Sequence, residues 1–382
     1  MACVLQVTPA LDAGGVERTT IEIAEALTRA GHRALVASRG GRLERELRDA
    51  GGLLVKLPLD AKNPLELRAN ADRLARLAQQ EKVNIIHARS RAPGWSAFWA
   101  AKRLKLPFIT TYHGIYNATN DLKRAYNSVM AKGDIVIANS NFTRAHILKE
   151  HKISAEKIVV IPRGVELGRF DRASLDADRL RRALEGLSLK GRGMEAVVIL
   201  PARLTLWKGQ KVLLEAAAQL QQRRPGLARY VLAGDAQGRD GYVRQLQEMI
   251  AAKGLTDLVA MPGHIEDMAA ALAVCDIAVF PSIEPEAFGR SALEAQAMGL
   301  PVVAAAHGGL TETIVDGETG LLTPPGDPQV LALAIERLLD LPREARAAMG
   351  QRGAARAKAL YSTESLQRAT LEVYGRVLNT PR

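Results

Sequence analysis

The stretch Pro281-Ser282-Ile283-Glu284-Pro285-Glu286-Ala287-Phe288-Gly289-Arg290-Ser291-Ala292-Leu293-Glu294-Ala295 runs from the end of an apolar segment, through an acidic turn, into a helical pattern. The first free amides of such a helix, near Phe288 to Arg290, form an anion site. Glu286 stands in the turn and Glu294 eight residues later on the helix. One carboxylate can therefore take a sugar hydroxyl beside a phosphate, and the other vicinal hydroxyls such as those of a ribose. Glu294 could equally be a solvated helix residue. Its neighbours Leu293, Ala295, Ala297 and Met298 read as buried, however, and a carboxylate among them needs a partner.

Outward from this stretch, short β-branched runs alternate with amphipathic stretches, the signature of βα units around parallel sheets. Strands are predicted near 3–7, 33–37, 53–57, 83–87, 107–112, 134–138 and 157–161, and again near 196–201, 229–233, 258–262, 276–280, 301–305 and 320–323. The fold class is α/β with two doubly wound sheets, which suits 382 residues at roughly 100–200 per domain. The boundary falls at 165–190, where a charged segment leads into Lys190-Gly191-Arg192-Gly193. Ser362-Thr363-Glu364 opens a last helix, with Leu366, Leu371, Val373, Tyr374 and Val377 on helical spacing.

Apolar residues make up 47% and charged residues 24% of the chain, so disorder is not expected. Apolar runs such as Ala196 to Pro201 and Pro301 to Ala306 fall far short of the roughly 18 residues of a membrane helix. Met1 to Val7 lacks the basic head and cleavage site of a secretory signal and reads as a first strand, so a cytoplasmic location is expected. Cys3 and Cys275, without a C-x-x-C partner, read as buried, inert thiols. Residues 1–190 hold 32 Lys and Arg against 20 Asp and Glu, whereas residues 191–382 hold 20 against 21. All the excess charge lies in the first half, which suggests that it faces something anionic or is simply a soluble basic surface.

Because open α/β sheets bind ligands at the carboxyl ends of their strands, the other strand-end turns matter next. Asp12-Ala13-Gly14-Gly15-Val16-Glu17-Arg18 lets backbone approach a ligand, although a Gly-Gly turn is often only a turn. It is not G-x-G-x-x-G, so the nicotinamide fingerprint is missing. Arg203 and Lys208, five residues apart after the strand 196–201, could grip a diphosphate from two directions or merely make surface salt bridges. Leu232-Ala233-Gly234-Asp235 could be no more than a turn. Among seven histidines, His113 stands out in a strand-end Tyr-His-Gly turn, whereas His87, His146, His151 and His307 have no comparable support. Asp176-Ala177-Asp178 lies in an Arg-rich helical stretch and reads as surface, so no metal site is expected.

Taken in order, the Gly14-Gly15 turn, Tyr112-His113-Gly114, the Arg203 and Lys208 pair, Glu286-x7-Glu294 and Gly299-Leu300-Pro301-Val302-Val303 resemble the retaining family 4 glycosyltransferases of GT-B fold. The likeness covers essentially the whole chain. It implies two Rossmann-like domains facing across a cleft, 1–170 with the terminal helix 360–382 for the acceptor and 190–360 for the nucleotide-sugar donor. It further implies that Arg203 and Lys208 bind the diphosphate, Glu286 the donor sugar, and Glu294 the ribose. Phe288 and Gly289 would offer amides, Gly14 and Gly15 would let a loop close over the diphosphate, His113 would face the donor sugar, and His264 and Ile265 would lie in the base-contacting loop. Ala287 departs from the usual glycine and would tighten the sugar pocket.

The implied activity is retaining hexosyl transfer without a cofactor or metal, from a UDP sugar ahead of a GDP or ADP one. The implied acceptor is a glycan or lipid-linked glycan of bacterial lipopolysaccharide or exopolysaccharide synthesis. Lys102-Arg103-Leu104-Lys105, Lys123-Arg124, Lys132, Lys149 and Lys152 with Trp95, Trp99 and Tyr126 would suit a peripheral contact with an anionic membrane at the inner face of the cytoplasmic membrane. The same face would also suit an anionic soluble glycan, and Trp95 and Trp99 could simply be core. A sugar-nucleotide epimerase or hydrolase, and a silent glycan-binding subunit, remain the alternatives. No nucleic-acid motif accompanies the basic half, so no nucleic-acid partner is expected.

Overall fold

The computed structural model describes residues 1–12, 14–189, 193 and 195–380. Ala13 of the first glycine turn and Lys190 to Arg192 of the linker lie outside the described residues. The chain divides into two units, Met1–Gly164 with Thr363–Arg382, and Val165–Ser362.

In the first unit the strands are β1 Cys3–Val7, β2 Arg33–Ser38, β3 Leu53–Lys56, β4 Ile85–Ala88, β5 Phe108–Tyr112, β6 Ile135–Ala138 and β7 Ile158–Val160. They form one parallel sheet in the order β3-β2-β1-β4-β5-β6-β7. In the second, β8 Ala196–Pro201, β9 Ala228–Ala233, β10 Val259–Gly263, β11 Ile277–Phe280, β12 Val302–Ala305 and β13 Gly320–Thr323 are ordered β10-β9-β8-β11-β12-β13. Each predicted strand is present, with its ends displaced by two residues at most. Central strands such as β1, β4, β11 and β12 are buried throughout. That is why they read as unbroken apolar runs rather than as alternating patterns.

Strand order reverses once in each sheet, between β1 and β4 and between β8 and β11. Such switch points open a crevice at the carboxyl ends of the two strands. The terminal helix Thr363–Asn379 buries Leu366, Val373, Tyr374 and Val377 in the same core as Ile23 and Leu27 of helix Gly15–Arg29. Its Tyr374 hydroxyl lies 2.7 Å from His87 Nδ1.

One boundary needs correction. Residues 165–170, expected in the first domain, belong to the second unit. Val165 and Phe170 are buried in its core, and the Val165 amide donates to the Tyr361 carbonyl. Trp95 is half-buried, and its indole N–H donates to the Tyr126 carbonyl. The Lys132 ammonium lies over the Trp95 and Phe98 rings. Cys3 and Cys275 are buried. Asp176 caps the exposed helix Ala177–Gly186 by accepting from the Arg179 amide.

Candidate active site

In the second unit the chemistry gathers at the β8/β11 switch point. The turn after β8 ends at Gly209, whose φ of 77° suits glycine and whose missing Cβ would collide with the Pro281 carbonyl. Close approach brings that turn onto the end of β11, where the Ile283 amide donates to the Trp207 carbonyl at 2.8 Å. Lys208 is thereby swung over the acidic turn, and its Nζ meets Glu286 Oε2 at 2.8 Å. The same ammonium lies 4.4 Å from the centre of the Trp207 ring.

The other oxygen of Glu286, Oε1, accepts from Ser282 Oγ at 2.6 Å. The turn after β12 supports this arrangement from beneath. His307 Nε2 donates to the Ser282 carbonyl at 2.8 Å, and the Gly309 amide donates to the Glu286 carbonyl at 2.7 Å. A Cβ on Gly308 would stand 2.5 Å from that carbonyl oxygen, so only glycine fits beneath the acidic turn. Burial by itself would raise the Glu286 carboxyl. The Lys208 cation, the Ser282 hydroxyl and nearby His307 outweigh it and hold the group below its ordinary value.

Glu294 finds the partner that its apolar surroundings demand. Arg290, one turn earlier on helix Arg290–Ala297, places Nε 3.2 Å from Glu294 Oε1, and both side chains are largely enclosed. Gly289 opens the helix with a φ of 90°. The Phe288 side chain is buried against Tyr361, which anchors the backbone that carries the first amides. Ala287 is half-buried beside it, and its carbonyl would meet a Cβ on Gly309. Arg203, read from sequence as the twin of Lys208, is exposed and reaches Gln237 Oε1 at 3.5 Å. After β10, His264 is exposed and Ile265 packs on the core. Gly234 is structural, because a Cβ there would strike the Ala202 carbonyl.

In the first unit the site residues follow β1, β5 and β7. Gly14 has a φ of 144° and caps helix Gly15–Arg29. Gly15 is required for a reason that the sequence does not show: the Arg163 guanidinium occupies the space where its Cβ would stand. Arg163 Nη2 also reaches His113, at 3.0 Å from Nδ1 and 3.2 Å from the carbonyl oxygen. The imidazole is buried, and its Nε2 has no hydrogen-bond partner. Burial, then the cations Arg163 and Arg89, push His113 well below the ordinary histidine value, so it is neutral. Arg163 in the first unit's cluster, and Ser282 and His307 in the second's, are residues that the sequence leaves unmarked, although Arg163 and His307 lie just past strand ends.

The frame is thus two parallel α/β units, each with a polar cluster at the carboxyl ends of its strands. Residues 13–169 match the family model described as Glycosyltransferase Family 4, and residues 188–356 match that of Glycosyl transferases group 1. A D-inositol 3-phosphate glycosyltransferase of Salinispora tropica is 34% identical over 329 residues, which cover 81% of this chain and 66% of that relative. The structure of a glycosyltransferase from Rickettsia africae aligns with a TM-score of 0.90 at 36% identity, covering 100% of this chain and 99% of that one. Anabaena Alr3699/HepE in complex with UDP-glucose aligns with a TM-score of 0.86 at 25% identity, covering 98% and 100%. The chain belongs to the family 4 glycosyltransferases of GT-B fold. Among the described residues no helix is long and apolar enough to cross a membrane.

Proposed function

We propose that the protein transfers a hexose, with retention, from a nucleoside diphosphate sugar to a hydroxyl of an anionic acceptor. The observation that carries this reading is the Lys208–Glu286 pair at the β8/β11 switch point, beside the first amides of helix Arg290–Ala297. A cation, helix amides and a fixed carboxylate suit a sugar diphosphate: amides and ammonium for the phosphates, carboxylate for a sugar hydroxyl. Glu294 with Arg290 is assigned to the ribose, and the loop at His264 and Ile265 to the base. The Anabaena complex with UDP-glucose supports UDP ahead of GDP or ADP.

In the proposed reaction the acceptor oxygen bonds to the anomeric carbon as the bond from that carbon to the diphosphate oxygen breaks. The acceptor proton passes to the departing phosphate, and nucleoside diphosphate leaves. Lys208, with Arg203 brought in on binding, neutralises the charge that develops. Glu286 is bound at both oxygens, by Lys208 and Ser282, which suits an orienting hydrogen-bond acceptor rather than a nucleophile.

The surplus of cations in residues 1–190 supports an anionic acceptor, assigned as a lipid-linked or lipopolysaccharide-type glycan met at a membrane face. A second reading, a soluble phosphorylated polyol, is favoured by the name of the Salinispora relative. Calorimetry of UDP, GDP, ADP and their sugar conjugates tests the donor, on wild type and on Lys208→Ala and Glu294→Ala. Selective binding of one diphosphate, weakened in both variants, is the expected result; no binding of any nucleotide overturns the proposal. Transfer assays with a polyol phosphate and with a lipid-linked glycan in anionic liposomes then separate the two acceptors.

A further inference from the structure

His113 is held by a partner that can only donate. A guanidinium has no acceptor, so the nitrogen that faces Arg163 Nη2 at 3.0 Å, Nδ1, must be the unprotonated one. The proton of the neutral ring then sits on Nε2, which is buried and has no hydrogen-bond partner. An N–H left unpaired in a buried position is costly, and such a cost is retained where a ligand supplies the missing acceptor. The guanidinium is itself fixed, because it fills the space above Gly15 at the start of helix Gly15–Arg29 and also donates to the His113 carbonyl.

We propose that Arg163 is a positioning residue that locks His113 as the Nε2–H tautomer, so that the ring offers one directed donor to a substrate oxygen. This rests on the glycosyl-transfer reading for the identity of that oxygen, a sugar or acceptor hydroxyl, but not for the tautomer. The charged and titratable groups that act on the ring are Arg163, Arg89 and His87. Arg89 is bound through Nε to Gln6 Oε1, and His87 is bound at both nitrogens, to Tyr374 and Thr111. Of these, Arg163 alone bonds to His113 through its side chain.

Long-range nitrogen–proton correlation spectra of the full chain labelled at histidine read the tautomer directly, with the His113 signals assigned by their loss in His113→Gln. Wild type should show His113 as Nε2–H, unchanged between pH 5.5 and pH 8. Arg163→Met should give mixed tautomers, and Arg163→Lys, which keeps a donor, should restore the wild-type pattern. In parallel kcat/KM with the nucleotide sugar should fall about tenfold in Arg163→Met, the scale of one hydrogen bond. An Nδ1–H or doubly protonated His113 in wild type overturns the proposal without any variant being needed. So does an unchanged tautomer in a folded Arg163→Met. Should no nucleotide sugar bind, the donor reading fails while the tautomer spectra still decide the role of Arg163.

Discussion

Replacing Lys208 with methionine keeps an apolar stem of similar length and removes the charge that faces Glu286. The two side chains are only 12% and 10% exposed, so the orphaned carboxylate would keep the Ser282 hydroxyl and little else. Removing one partner of a buried pair costs about 3–5 kcal/mol. The retained Ser282 bond puts the expectation at the lower end, about 3 kcal/mol, or about 6–12 °C in melting temperature for a domain of this size.

The pH dependence then separates a charge effect from a packing effect. In wild type the Glu286 carboxyl lies below its ordinary value. It therefore contributes stability that is present above the unfolded carboxylate range and lost as pH falls through the folded value. Without Lys208, burial, the largest influence on the group, is opposed only weakly, and the folded carboxyl rises above its ordinary value. Its contribution reverses sign: harmless in acid, destabilising as pH climbs. The gap between the two proteins should be small near about pH 4 and full by about pH 7. Lys208→Met with Glu286→Gln should recover most of it, because no charge is left buried alone. Trp207 is the second unit's one tryptophan, the others being Trp95 and Trp99. Urea unfolding read at Trp207 in a Trp95→Phe, Trp99→Phe background therefore reports this unit. An equal loss at both pH values, or a double variant no better than the single one, would refute the reasoning.

Gly15→Ala should displace the Arg163 guanidinium from the space it fills and reproduce the mixed His113 tautomers of Arg163→Met; a wild-type spectrum would count against the packing described. His87 and His113 are both held neutral, chiefly by burial. The unfolded chain therefore binds more protons below about pH 6.5, and the first unit should lose about 1.4 kcal/mol per histidine between pH 7.5 and pH 5.5. Unfolding followed at Trp95 and Trp99 checks this, and a flat profile would contradict it. His307→Ala removes the donor to the Ser282 carbonyl and frees the turn that carries Glu286. Turnover should fall about tenfold while stability drops by about 1 kcal/mol, and unchanged kinetics would show that the Glu286 turn needs no support from beneath.

The thirteen strands were legible because parallel strands buried on both faces leave short β-branched runs that no surface helix produces. Lys208 and Glu286 were legible for a related reason: each follows a strand, and the ends of β8 and β11 converge at the switch point. What the sequence did not show was that the two side chains bond to each other. Seventy-eight positions separate them, and only the close approach of Gly209 to Pro281 makes them neighbours. Where the Arg203 and Lys208 side chains rest was not legible either, because five residues of spacing says nothing about which way a turn points its ends. Lys208 is drawn inward by a buried carboxylate, and Arg203, with no such partner at hand, stays in solvent. Residues 165–170 were misplaced because Val165 and Phe170 are apolar and would suit either core; the bond from Val165 to Tyr361 decides between them. Arg163 and His307 also stand just past strand ends, β7 and β12, each followed by glycine, Gly164 and Gly308, but a polar residue before a glycine is common to many turns and does not by itself mark a site. Their importance comes from a donor aimed at one particular atom, His113 Nδ1 or the Ser282 carbonyl. A directed hydrogen bond across fifty or twenty-five residues leaves no periodicity behind. In a doubly wound sheet, then, every polar residue just beyond a strand's carboxyl end deserves weighing as a positioning group, whether or not a motif surrounds it.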